Sequence, residues 1–189
     1  MASHDFAQTP FMHRDLFIFA TAAAILCQCQ VTLAREPEAA QSIQQLADGI
    51  VDRPPATYFS LATALYREGQ KDEAAFWYYV GLIRYRAWIL ATGKDGQSSD
   101  EPYHFWLLTH SVGQSIYQHV DRDSEDLIKA IDRALTWDLE QPNGFTSKDA
   151  FKAQYERARQ EVLALRQKIK IAPASLKTET AAGRGIFSW

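Results

Sequence analysis

Two arginines, Arg84 and Arg86, sit inside a long, largely apolar stretch of this chain, Ala74 to Thr92, which reads AAFWYYVGLIRYRAWILAT. A guanidinium in such surroundings must either find a counter-charge or reach water. Residues two apart are about 200° apart round a helix, so the pair points to different faces. The spacing predicts that one reaches the surface and that the other pairs with an acid on a neighbouring helix. Asp132, Asp138 and Glu140 are the candidate acids. The functional alternative is a clamp for an anion or for the carboxylate of a partner. The aromatics Trp77, Tyr78, Tyr79, Tyr85, Trp88, Tyr103, Phe105 and Trp106 could line a groove for a peptide or a sugar, since Tyr and Trp are enriched at binding hot spots. Their plainer role is core, the commoner fate of aromatics at helical spacing. The candidate binding set is therefore Tyr79, Arg84, Tyr85, Arg86, Trp88 and Trp106.

Other chemistry finds little support. His104, His110 and His119 are six and nine apart, not the three or four of a helical metal pair, and no cysteine lies near them. No GxSxG, HExxH or phosphate-loop motif is present. Thr109-His110-Ser111 sets hydroxyls beside an imidazole, but neighbouring residues of a helix point apart. No catalytic residue, cofactor or metal is expected.

Lys and Arg number 20 against 23 Asp and Glu, for a net charge of −3, with both signs mixed along the chain. No basic block exists, which argues against a nucleic-acid surface. Cys27 and Cys29 are the only cysteines, so no disulfide framework or thiolate metal site is possible beyond them.

The elements that must position these residues begin with an export signal. Leu16 to Leu26 is an apolar run too short to span a bilayer comfortably, with His13 and Arg14 before it and Thr32-Leu33-Ala34 after it. This is the three-part layout of a secretory leader, with cleavage after Ala34 and Met12 as a more compact start than Met1. The expected division is a leader over 1–34, one helical domain over 35–172 and a flexible tail over 173–189. An uncleaved leader acting as a membrane anchor is the alternative; after processing no stable membrane span is expected.

Within the domain the apolar spacing predicts helices at Arg35–Val51, Ala56–Glu68, Ala74–Thr92, Tyr103–Val120 and Ser124–Leu139, then one running to about Ile171. Asp72 and Gly93 serve as N-cap and stop for the apolar helix. Pro54-Pro55, Gly69 and the segment Gly93–Pro102 supply breaks. Gln141-Pro142-Asn143-Gly144 reads as a turn, and Thr146 with Asp149 as a capping box for the last helix. A helix apolar on nearly every side is a central one, so the domain should wrap round Ala74–Thr92.

The hairpin over residues 56–90 resembles a tetratricopeptide-type repeat and the related Sel1 repeat. Tyr58, Leu61, Ala62 and Leu65 stand in its first helix, Gly69 in its turn, and Ala74, Tyr78 and Gly81 in its second. Arg86 stands where that family normally has a helix-ending proline, and no second copy follows. The resemblance implies a protein-binding helical module.

The reading is an all-α bundle of five to six helices built round this hairpin. Its expected role is that of an exported, non-catalytic protein-binding module, in one form an immunity- or inhibitor-type protein acting on a periplasmic partner. The alternative is a periplasmic enzyme or ligand carrier with a pocket among the aromatics and the two arginines.

Overall fold

Gly69 and Gly93 bracket the helix on which the rest of the fold is built. At Gly69, φ is +78°, a left-handed value that suits a residue with no Cβ. Gln70 N–H bonds back to Leu65 O at 2.9 Å, which closes the preceding helix and turns the chain within three residues. At Gly93, φ is +65°, and Lys94 N–H closes the other end on Ile89 O at 3.0 Å. The computed structural model describes residues 43–96, 98–119 and 124–171. The leader, most of the first expected helix and the tail lie outside the described residues.

Five helices follow a short helical stretch at 43–47 and a 3-10 turn at Ile50–Asp52. They are α1 (Ala56–Arg67), α2 (Lys71–Ala91), α3 (Glu101–His119), α4 (Ser124–Glu140) and α5 (Lys152–Ile171). Among the described residues there is no strand, and the helices pack as one bundle with α2 at its centre. Helix α2 touches each of the other four. Fourteen of its 21 residues are buried, and they face every direction round its axis. The cap differs from expectation. The helix starts at Lys71 after Gln70, which makes no side-chain cap bond, and Asp72 lies inside the first turn with Glu73. There the two carboxylates oppose the positive end of the helix dipole instead of capping it.

Helices α1 and α2 form the antiparallel hairpin their short connection demands. Gly81 sets how closely they approach: a Cβ there would lie 3.1 Å from both the Phe59 ring and the Tyr58 Cβ. Gly81→Ala gains helix propensity against a mild squeeze and should be near neutral. Gly81→Val overfills the contact and should cost about 1–3 kcal/mol in urea denaturation. Equal stability for Gly and Val would mean that the two helices are not in this contact.

Helix α3 lies across α1 and α2. Phe105 stacks on Tyr85 with ring centres 5.1 Å apart, and Ile116 and Tyr117 are buried with it. The Tyr78 hydroxyl donates to Thr109 O at 3.0 Å, and the Tyr79 hydroxyl donates to that of Tyr117 at 3.3 Å. On the other side α4 and α5 run antiparallel. Their inner stripes are Leu127, Ala130, Ile131, Ala134 and Asp138 on α4, and Tyr155, Ala158, Val162, Leu165 and Ile169 on α5. These repeats of three and four residues are the helical period. Arg166 clamps Asp132 at 2.7 and 2.8 Å towards one end of the pair, and Arg159 meets Asp138 towards the other. No helix among the described residues is long and apolar enough to cross a membrane.

Candidate functional site

Because the middle of α2 is covered all round, a side chain leaving it between Tyr78 and Ala87 meets another part of the fold and not water. Arg84 and Arg86 both obey this. Neither reaches the surface, which corrects the expectation that one would. The 200° between them sends them to different helices instead.

Arg84 is wholly buried beneath α4 and the loop at residues 141–148. Its Nε donates to Asp138 Oδ1 at 3.2 Å and one Nη to the Tyr58 hydroxyl at 2.8 Å. The other Nη serves two carbonyls, Gln141 O at 3.3 Å and Pro142 O at 2.9 Å. The guanidinium also lies 4.5 Å from the centre of the Trp137 ring, a cation–π contact. Tyr58 passes the chain of bonds on, donating to Ile50 O at 2.9 Å. Burial raises the Tyr58 hydroxyl above its ordinary range against the opposing pull of Arg84.

Asp138 is as deeply buried as Arg84 and takes two more cations. Arg159 Nη1 donates to its Oδ2 at 3.1 Å, and Lys148 Nζ stands 3.6 Å from its Oδ1. Lys148 Nζ also donates to Gln141 O at 2.7 Å. Burial, with the nearby arginines, holds the Lys148 ammonium below its ordinary range, and Asp138 opposes this.

The loop is held from several sides. Asn143 Oδ1 accepts from the Phe145 and Thr146 amides at 3.0 and 3.1 Å, while its Nδ2 donates to the Tyr155 hydroxyl. Tyr155 in turn donates to Thr146 O at 3.0 Å. Gly144 N–H reaches Val51 O at 3.0 Å, and a Cβ on Gly144 would run into the Asp52 carboxylate. The expected Thr146–Asp149 capping box does not form. Ser147 Oγ accepts from the Ala150 amide at 3.3 Å in its place, because Tyr155 and Asn143 hold the Thr146 backbone inside the fold. The Thr146 hydroxyl is buried and has no hydrogen-bond partner among the described residues. A hydroxyl left so costs about 1–3 kcal/mol.

Arg86 faces α5, where Glu161 accepts from Nε at 2.8 Å and from Nη2 at 3.2 Å in a two-point grip. Arg157 shares the same carboxylate at 3.3 Å.

The six sequence candidates do not gather in one place. Tyr79 and Arg84 are wholly inside, and Tyr85 and Arg86 nearly so. The Tyr85 hydroxyl donates to Glu101 Oε2 at 3.0 Å, and Tyr79 faces α3 through Tyr117. Only Trp88 and Trp106 are half-buried at the surface. Trp88 has the Lys94 ammonium 4.6 Å from its ring centre and Phe145 beside it.

Among the described residues, Trp106 belongs to the most exposed aromatic face. On α3, Tyr103 is 61% and Leu107 46% exposed. The Trp106 ring stacks against Tyr103 at 6.0 Å and against His110 at 5.2 Å with only 4° between the last two planes. Positions 103, 106 and 110 follow the helical repeat, so the three rings form one ladder. From Pro102 to His119 the sequence has no Asp, Glu, Lys or Arg.

No group of three or more His, Cys, Asp or Glu is placed to hold a metal ion among the described residues. Comparison with protein families, with curated proteins and with solved structures finds no match to this chain.

Sequence reasoning missed Lys148, Arg159 and Glu161. A usable signal existed for Asp138 alone: it continues the α4 stripe Leu127, Ile131, Ala134, whereas Asp132 and Glu140 fall off it and are exposed. Arg159 and Glu161 flank the α5 stripe, where charged residues are ordinary, and Lys148 lies in a loop with no periodicity to read.

Proposed function

We propose that this chain is a non-catalytic helical module that binds another protein through the outer face of α3 and works outside the cytoplasm. The observation that carries the reading is the Tyr103–Trp106–Leu107–His110 face, aromatic, exposed and set in a stretch, Pro102 to His119, without a single full charge. Exposed patches of this composition mark interaction sites, and Tyr and Trp supply much of the energy at interfaces. The likeness of the α1–α2 hairpin to a protein-binding repeat supports the same class. The leader-like N-terminus supports export to a periplasm, where an inhibitor or immunity partner for a toxic enzyme is one concrete form. The competing pocket reading needed an unpaired buried arginine beside Tyr85 and Trp88, and both arginines have carboxylate partners.

The test is affinity capture with the wild-type chain and with Tyr103→Ser/Leu107→Ser, whose side chains are exposed enough to leave the fold intact. A specific protein should be recovered with the wild type and fall at least tenfold with the variant. Equal recovery with both, or the chain alone in each case, would remove α3 as a binding face. N-terminal sequencing of the chain from separated cell fractions should find Arg35 first in the exported fraction.

A further inference from the structure

We propose that Asn143–Gly144 is a self-modification site: the folded loop at residues 141–148 holds it shut, and an opened loop converts Asn143 covalently to aspartate and isoaspartate. The step needs no partner and stands apart from whatever α3 binds.

Asn143 is the only asparagine in the chain, and a glycine follows it. That order favours ring closure within the backbone, because glycine has no Cβ to keep its nitrogen from the neighbouring side chain. A solvent base takes the Gly144 amide proton, and the nitrogen attacks the Asn143 carboxamide carbon. The new C–N bond closes a five-membered succinimide. The bond to Nδ2 breaks, and that nitrogen leaves as ammonia with a proton from water. Water then opens the ring at either of its two carbonyls. One opening gives aspartate; the other gives isoaspartate, in which the backbone runs through the former side chain. No oxidant or reductant enters.

The folded loop opposes each requirement of this step. Gly144 is exposed, so burial does not protect it. Its N–H is tied to Val51 O at 3.0 Å, and that proton must leave first. The Asp52 carboxylate fills the space where a Cβ on Gly144 would stand, and a negative charge there disfavours the amide anion. The carbon under attack is fixed as well. Asn143 Oδ1 accepts from the Phe145 and Thr146 amides at 3.0 and 3.1 Å, and its Nδ2 donates to the Tyr155 hydroxyl. A carboxamide held at both its oxygen and its nitrogen is not free to turn the face of its carbon to the Gly144 nitrogen.

The same contacts make the change permanent in its effect. Isoaspartate puts one more carbon into the backbone between positions 143 and 144, which shifts Gly144 against Val51 and the side group against the two amides. Aspartate keeps the acceptor but sets an oxygen where Nδ2 was, facing the Tyr155 hydroxyl. That hydroxyl has one proton, and it already goes to Thr146 O at 3.0 Å. The adjoining Gln141 and Pro142 carbonyls are those that Arg84 holds, so a loop that closes badly also loosens the buried ion pair.

The test keeps the full chain in mildly alkaline buffer, folded or in guanidinium chloride, and follows the intact mass and the peptide that spans Asn143. Asp48–Gly49 and Asp95–Gly96 can close the same ring, but their products weigh what they weighed before. The unfolded chain should gain the mass of an amide-to-acid change at Asn143, divided between aspartate and isoaspartate, and the folded chain should gain it at least tenfold more slowly. Tyr155→Phe removes one of the bonds on the carboxamide and should convert several-fold faster than wild type, each held equally far below its own melting temperature. Chain returned from denaturant after conversion should unfold at lower urea than chain returned at once. Equal rates folded and unfolded, or no conversion in either, would overturn the site. A Tyr155→Phe rate equal to that of the wild type would remove the carboxamide clamp from the protection, and a converted chain of unchanged urea midpoint would overturn its permanence.

Discussion

Arg84→Met should destabilise the chain by about 3–5 kcal/mol, a large part of the 5–15 kcal/mol that holds an ordinary domain together. The substitution keeps most of the apolar volume, so the loss is not mainly a cavity. It strands Asp138, which is wholly buried, and leaves it to Arg159 and a lysine 3.6 Å away. It also removes the donor of the Tyr58 hydroxyl and of the Pro142 carbonyl. A buried ion pair is costly to break and far less costly to delete. Arg84→Met/Asp138→Leu should therefore recover much of the loss, with the two changes strongly non-additive in a double-mutant cycle. Urea denaturation of the four proteins measures this. Arg166→Ala, at the half-exposed Asp132 pair, provides the surface comparison and should cost a small fraction of the Arg84 value. If Arg84→Met cost no more than Arg166→Ala, the buried network would not be what ties the 141–148 loop to α1, α2 and α4.

Alkali should unfold the protein in one cooperative step before its inner tyrosines ionise. Tyr78, Tyr79 and Tyr117 form one buried group on α2 and α3, and burial raises all three hydroxyls above their ordinary range. In the unfolded chain each ionises near pH 10. Above that pH the folded form retains protons that the unfolded form has lost. The stability these groups contribute is complete below about pH 10 and is lost as pH rises past it, at about 1.4 kcal/mol per pH unit for each tyrosine. Three together remove about 4 kcal/mol per unit, enough to exhaust an ordinary domain within about two or three units. Near-ultraviolet phenolate absorbance, followed beside far-ultraviolet circular dichroism, separates the cases. The phenolates of Tyr78, Tyr79 and Tyr117 should appear together with loss of helix. Gradual ionisation of these three tyrosines in a fully helical chain would show that the α2–α3 contact is open to solvent.

Much of the architecture was legible because it is written in local periods. Ala74–Thr92 is apolar on nearly every side, and a helix of that kind has no stable place except the middle. Gly69 and Gly93 mark its ends because a left-handed residue closes a helix, and that preference needs no tertiary context. The α4 and α5 stripes follow the same logic. The start of α5 was harder to read. Thr146 has the side chain of a cap, but Tyr155 and Asn143 pull its backbone inward and pass the cap to Ser147.

Local pattern alone was enough for the all-helical class, for α2 as the core, and for the rule that a guanidinium inside that core must be paired or reach water. Tertiary structure alone decided that Arg84 and Arg86 are both paired, and with which acids. Glu161 lies 75 residues from Arg86, and only the packing of α5 against α2 brings it to 2.8 Å. The same holds for the aromatics: Tyr79 and Tyr103 are the same residue type on successive helices, one sealed inside and the other most of the way into solvent. Composition and period describe a helix by itself. Which of its faces meets water depends on where the other helices lie, and that is settled by distances in space between residues far apart in the chain.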